Sequence, residues 1–275
     1  HKHVDDDTKD PYSAKRGFWY SHIGWMLREY HPDRYYDYAN VKDLQKDPIV
    51  MWQHRHYWAL AWGVNFAITG ALGLIHGDLL GTLLLAGVAR LTLSQHITFF
   101  INSLAHIWGR QPYSHQNSSR DNALIAFLTY GEGYHNFHHR FASDYRNGIR
   151  WWQFDPTKWA IRLLSLMGLA KNLRRFADER IERAKASLQM NDAKTRFESF
   201  PDAERFIALL QSEYDLLLQR MSEFYATRKA LLENKRLTTQ YPDPAELMRR
   251  YAEVKAGWRR QRRLWKLLVA LPAPG

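Results

Sequence analysis

The chain has 275 residues, with 39 Lys and Arg against 28 Asp and Glu, 13 histidines and no cysteine. That length accommodates one or two folded units with a real core, and the absence of cysteine excludes disulfide scaffolds, Cys-type zinc fingers and thiolate-held iron–sulfur clusters. A formal charge of +11 suits nucleic acid, an anionic membrane surface or the cytoplasmic loops of a membrane protein, and the mean hydropathy of −0.51 averages over segments of opposite character.

The chain starts with His rather than Met and without a signal-like segment, and reads as a fragment lacking its N-terminal part. Residues 1–56 are polar and aromatic, acid-rich at the start, with prolines at 11, 32 and 48. No long helical stripe runs through them, which predicts short helices and loops on a membrane-facing surface.

From Tyr57 to Ile75 no residue is charged, and after His76-Gly77-Asp78 a second apolar run from Leu79 to Ile101 carries only Arg90. Each run is about the ~20 residues needed to cross a bilayer. Two runs joined by three polar residues predict a transmembrane hairpin over 57–75 and 79–101. The basic flanks place both outer ends in the cytoplasm. Arg90 is the costly residue, and is expected to face protein rather than lipid. The bland alternative is a buried helical pair in a soluble protein.

Residues 102–160 return to polar and aromatic character and hold most of the notable histidines. Trp159 to Ala170 is amphipathic, ends in Lys171, Arg174 and Arg175, and reads as an interfacial helix. Beyond about 176 the chain is charged, with apolar residues at helical spacing such as Phe206, Leu209, Leu210, Tyr214 and Leu217. Ser199 before Pro201 resembles an N-cap, and Tyr241-Pro242-Asp243-Pro244 ends that helix. The expectation is an all-α integral membrane protein in two parts: 1–175, and a charged helical hairpin over 176–275. The basic run Trp258-Arg259-Arg260-Gln261-Arg262-Arg263 is read as a solvated face or a patch for anionic lipid headgroups, not as a nucleic-acid site.

The sharpest chemical signal is Gly131-Glu132-Gly133-Tyr134-His135-Asn136-Phe137-His138-His139. On a helix, positions i, i+3 and i+4 share a face, so His135, His138 and His139 can present three imidazoles to one volume. Neutral imidazole suits iron, zinc and copper, and three buried imidazoles without a metal would each need hydrogen-bond partners. Asn102 and His106, four residues apart where the second apolar run ends, add a second element at the same membrane face. The third element is the start itself, His1-Lys2-His3-Val4-Asp5-Asp6-Asp7.

In this order the three elements resemble the membrane-bound fatty acyl desaturases of the stearoyl-CoA (Δ9) type. The family's third histidine box, Gly-Glu-Gly-x-His-Asn-x-His-His, is present in full at 131–139. Phe141, Asp144-Tyr145-Arg146 and Phe154-Asp155-Pro156-Thr157-Lys158-Trp159 continue the pattern, as does the stretch from Val4 through Gly17-Phe18-Trp19-Tyr20-Ser21-His22-Ile23-Gly24-Trp25. The likeness covers about residues 1–175. It implies that His1 closes the second box, that His135, His138 and His139 form the third, that His106 is a further ligand, and that Asn102 reaches one metal through water. His3 has no counterpart among the family's ligands. The first box and the opening of the second are not in the chain, so the fragment alone is not expected to hold a complete diiron centre. Glu29 and Tyr30 stand where the animal enzymes carry an Arg-Lys pair that helps bind CoA, which leaves acyl-CoA, acyl-lipid and acyl-carrier-protein substrates open.

The resemblance implies a histidine-held diiron site at the cytoplasmic membrane surface that uses O2 to remove two hydrogens from adjacent methylenes. An acyl chain has no polar handle there, so a narrow apolar tunnel must set its depth. Thr98 and Phe99 match the family's residues near the bend of that tunnel, with core packing the alternative for Phe99. Electrons would come from another protein, a ferredoxin or a b5-type cytochrome with its reductase. A bacterial inner membrane is the expected setting. The four aspartates at 5, 6, 7 and 10 offer the look of a second metal site but read as a solvated acidic loop, with Arg140 or Arg146 as partners, and Asp155 as a helix cap or loop anchor. Two other functions fit the same residues: a membrane diiron hydroxylase or oxygenase of lipid or alkane chains, and a non-catalytic membrane scaffold whose basic helices are the active part.

Overall fold

The computed structural model describes residues 3–27, 38–199, 201–237 and 244–272. Expectations that fall on His1, Glu29 and Tyr30 lie outside the described residues. All regular elements among the described residues are helical, joined near the histidines by isolated antiparallel bridges. The chain divides into two compact units. The first comprises His1–Arg110, Asn117–His139 and Arg146–Lys171; the second comprises Gln111–Gln116, Arg140–Tyr145 and Asn172–Gly275.

In the first unit the N-terminal region is made of short elements, among them α1 (Phe18–His22) and α2 (Pro48–Arg55). Helix α2 starts where sequence rules place it: Pro48 at the first position, and Asp47 accepting the Ile49 amide at 2.9 Å and the Val50 amide at 3.3 Å. The first apolar run forms α3 (Tyr57–His76). The second forms α4 (Leu79–Thr82), a π-helical stretch Leu83–Ala89, α5 (Arg90–Asn102) and, after a break at Ser103, α6 (Leu104–Ile107).

Both spans are long and apolar enough to cross a membrane, with mean hydropathies of 1.5 and 1.3. Only 11% and 6% of their most apolar windows are buried within the protein. A helix so apolar and so little covered by its own chain leaves its side chains to a nonpolar surrounding, which fits lipid and argues against the soluble-pair alternative. Arg90, the one cation in the second span, donates from Nε to the Ala86 carbonyl at 2.7 Å and from Nη2 to Asn65 Oδ1 on α3 at 2.5 Å. Its charge is therefore turned toward the neighbouring helix.

Helix α1 is pinned to the C-terminal end of α5 by His22. Its Nδ1 lies 3.0 Å from Ser103 Oγ and its Nε2 lies 3.0 Å from His96 Nδ1, while the ring leans on Phe99 and Phe100. Burial first, and then the neighbouring His96, push His22 below the ordinary histidine range.

The second unit holds three helices: α10 (Asp178–Phe197), α11 (Ala203–Leu237) and α12 (Pro244–Leu268). The sequence suggested a hairpin; all three helices share one core, in which Met190 and Phe197 meet Leu210, Leu217, Met221, Trp258 and Trp265. Ser199 does not cap α11. Its hydroxyl donates backward to the Arg196 carbonyl at 2.8 Å, closing α10, and α11 begins at Ala203. Arg196 Nη1 in turn donates to the carbonyls of Val269 and Leu271 at 2.9 Å each, satisfying acceptors that the end of α12 leaves open.

Candidate metal centre

Three segments of the first unit bring the histidines together. Helix α6 is a single turn, and the carbonyl of Ala105 accepts the Arg120 amide at 2.7 Å, tying the loop before α7 (Ala123–Leu128) to it. Asp121 exchanges backbone hydrogen bonds with Arg110 at 2.7 and 3.0 Å, and the Asn122 amide donates to the Gly133 carbonyl at 2.8 Å. The His135 amide donates to the Arg120 carbonyl at 3.3 Å. Helix α8 (His135–Arg140) thus starts beside His106. Asp121 Oδ1 accepts the Phe137 amide at 3.1 Å, and the fully buried Asn136 donates to the Ser119 carbonyl at 3.0 Å.

The two glycines of the motif have steric reasons. Gly131 has φ +109°, a conformation that strains any side chain. A Cβ on Gly133 would stand 2.1 Å from the Ala126 nitrogen and 2.5 Å from the Ile125 carbonyl carbon, so α7 can lie against this turn only where the side chain is hydrogen. Asp155 holds the turn from the other side. It accepts the amides of Asn147, Gly148 and Lys158, each at 2.9 Å, and so both caps α9 (Pro156–Leu166) and anchors the loop after the histidines.

His106, His135 and His139 converge, with one ring nitrogen from each lying within 4.8 Å of the other two. His135 Nε2 is 3.1 Å from His106 Nε2 and 3.0 Å from His139 Nε2. Ring nitrogens that face one another at such distances need a proton or a cation between them, because bare lone pairs repel. Burial keeps the rings neutral. It holds His135 well below the ordinary range, reinforced by His106 and His139, and brings His139 down to about 3, helped by His106 and His138. Neutral imidazoles with convergent lone pairs are the donor set that a first-row transition metal takes.

The triad borders a cavity of about 320 Å³ whose wall also includes His3, Asn102, Glu132 and His138. Of the residues singled out from sequence, His106, His135 and His139 form the tight group. His138 lies beside it, its ring stacked on His135 at 5.8 Å. Asn102 is half-buried on the same cavity. Thr98 is exposed, with its hydroxyl on the Ser94 carbonyl at 3.0 Å. Phe99 is half-buried against the rings of His22 and His96. His1 lies outside the described residues.

The acidic loop is a correction. Asp6 is solvated and closes its own turn through Thr8, but Asp5 and Asp10 are buried. Asp5 accepts from Ser118, and Ser118 Oγ stands 2.8 Å from His106 Nδ1. Sequence reasoning passed over Ser118, which carries no motif, and Glu132, which belongs to one. Burial pushes the Glu132 carboxyl up, while the Asn147 amide at 2.8 Å works in the opposite direction.

Residues 1–170 match the family model described as fatty acid desaturase. A probable acyl-CoA desaturase of Schizosaccharomyces pombe is 47% identical over 184 residues, which is 66% of this chain and 38% of the yeast protein. The human stearoyl-CoA desaturase 5 is 37% identical over 193 residues (68% of this chain, 57% of the relative). An sn-2 palmitoyl-lipid 9-desaturase of a Nostoc species is 36% identical over 178 residues (63% and 59%). The chain therefore spans less than two thirds of the length of each of these relatives. The higher identity to the fungal sequence gives no support to a bacterial-like origin.

Proposed function

The chain belongs to the fatty acid desaturase family, and from that premise we propose that the complete protein is an O2-dependent fatty acyl desaturase. It introduces a cis double bond, at the Δ9 position, into a saturated acyl chain carried as acyl-CoA or acyl-lipid. Relatives named for each carrier and for position 9 support that choice.

The observation that carries the reading is the convergence of His106, His135 and His139 at the end of an apolar helical pair. His135, His138, His139 and His106 would hold a diiron centre, with His1 and Asn102 as further ligands, the latter through water. When bound, the iron supplies O2 activation. The chain's own residues do the rest. Burial keeps the imidazoles neutral and available. Asn136, Asp121 and Asp155 fix the backbone that carries them. The apolar pair seats the protein in a membrane as a multi-pass protein with the site at the cytoplasmic face, and Thr98 and Phe99 guide the acyl chain beside α5. Because the redox reaction consumes electrons, a ferredoxin or a b5-type cytochrome with its reductase serves as donor.

The test is expression of the full-length protein in membranes, followed by gas chromatography–mass spectrometry of total fatty acids. A new cis-monoene that vanishes in the His135→Ala, His138→Ala double variant is the expected result, and its double-bond position reads out the regiochemistry. A hydroxylated chain in its place would move the protein to the oxygenases. An unchanged lipid profile with iron bound and a donor supplied would defeat the proposal.

A further inference from the structure

We propose that Asp5 and Ser118 are positioning residues that decide which ring nitrogen of His106 faces the metal. The inference rests on the metal-site reading above. The Ser118 hydroxyl has a single proton, and it points to Asp5 Oδ1 at 2.7 Å, while Asp5 Oδ2 accepts the Ser118 amide at 2.6 Å. A carboxylate has no proton to return, so the serine proton is committed to Asp5. Ser118 Oγ also lies 2.8 Å from His106 Nδ1. With its own proton already given away, that oxygen can only accept. His106 therefore carries its proton on Nδ1 and presents a bare Nε2, and Nε2 is the atom that meets His135 Nε2 at 3.1 Å.

The support for Asp5 is built at a cost. Its backbone sits at φ +64°, in the left-handed region that few side chains adopt, and its side chain is buried. Asp10 holds that turn, accepting the Asp5 amide on Oδ2 at 2.9 Å and the Tyr12 amide on Oδ1 at 3.2 Å. Asp10, Asp5, Ser118 and His106 thus form one directed chain of hydrogen bonds. It does the work of a carboxylate bonded directly to a metal-bound histidine, with one hydroxyl inserted. The chain also gives the acidic segment after His3 a task in orienting a ligand, instead of service as a second metal site.

The experiment uses the full-length protein loaded with Fe²⁺ in detergent and follows iron release to a ferrous chelator, which does not depend on turnover. Ser118→Ala and Asp5→Asn are expected to hold iron about 10- to 100-fold less tightly, the usual scale for losing such a support. Ser118→Thr keeps the hydroxyl and should stay near wild type. A role in packing alone would reverse that order, because threonine adds a methyl to a half-buried position while alanine adds nothing. If His106→Ala sheds iron but Ser118→Ala and Asp5→Asn release it at the wild-type rate, the positioning role is wrong and the metal site stands. Iron held at full strength in His106→Ala would overturn both.

Discussion

Arg90 on the second apolar helix donates to Asn65 on the first at 2.5 Å, joining the only cation of either span to a neutral amide across the hairpin. A cation at mid-membrane costs about 2.5–3.5 kcal/mol on insertion scales, and a hydrogen bond to a charged group returns about 1.5–3 kcal/mol. The pair is therefore close to break-even as a unit, while loss of Asn65 alone leaves the cation, among the described residues, with the Ala86 carbonyl. Asn65→Leu should lower the thermal midpoint of the detergent-solubilised protein. Arg90→Leu should cost little, and Asn65→Leu should add almost nothing once Arg90 is gone. Additive effects in that double-mutant cycle would show that the two residues are energetically independent.

The turn carrying the histidines makes a sharper demand on one atom. With a backbone nitrogen 2.1 Å from where its Cβ would be, Gly133 cannot be replaced without moving α7 or α8. Overpacking of this kind costs typically about 1–3 kcal/mol, and more where backbone must shift. Gly133→Ala is expected to lower the melting temperature and to lose bound iron together, because the same displacement separates His135 from His106. Gly148→Ala is a useful contrast, since the three atoms nearest its Cβ would belong to the side chains of Gln153 and Tyr134, at 2.9 to 3.3 Å. Equal iron content in wild type and Gly133→Ala would mean that the close approach of α7 is not needed to assemble the site.

Much of this arrangement was legible in the sequence, and the reasons for what was not are physical. The apolar runs declare themselves by length and missing charge, and α3 and the second span follow them to within a few residues. Helix starts at Pro48 and Pro156 follow from a preceding aspartate whose side chain accepts backbone amides. The spacing of His135, His138 and His139 suggested one shared face, yet the tight group draws its third member, His106, from a different segment. Helix periodicity places neighbours along one helix; it has no information about which loop folds back over it. Ser118 is the clearest case. Nothing in its local sequence marks it, and its role comes only from lying between Asp5 and His106 in space. The burial of Asp5 and Asp10 was hidden for the same reason: composition treats four nearby aspartates alike, whereas the fold leaves Asp7 exposed and Asp6 half-exposed and buries Asp5 and Asp10.

In the second unit Trp265 is the largest fully buried side chain, and its indole nitrogen donates to Gln189 Oε1 at 2.9 Å, linking α12 to α10. Replacing it by alanine removes both the packing and the hydrogen bond. Trp→Ala changes in cores typically cost about 3–5 kcal/mol, enough to unfold a small helical unit. Trp265→Ala should expose α10–α12 to limited proteolysis, with new cleavage sites within residues 178–268. Trp265→Phe, which keeps the ring and loses only the hydrogen bond, should be cut far more slowly. Identical digestion of the alanine variant and wild type would remove Trp265 from the centre of that core.

Tyr225 on α11 gives the same unit a pH signature. Burial, followed by the nearby carboxylates of Glu182 and Asp178, raises its hydroxyl from 10.0 to about 12, against a weaker opposing pull from Arg228 and Arg262. Between those two values the unfolded chain has lost the proton and the folded chain still holds it. The contribution to stability is therefore complete below pH 10 and fades as pH rises through about 12. The phenol is partly exposed, so solvent screening keeps the effect modest. Tyr225→Phe cannot ionise and lacks this term. Thermal midpoints of wild type and Tyr225→Phe compared between pH 9 and 11.5 should diverge above pH 10, with the wild type falling faster. Parallel curves across that range would mean that the tyrosine ionises as easily in the folded protein as in the unfolded chain.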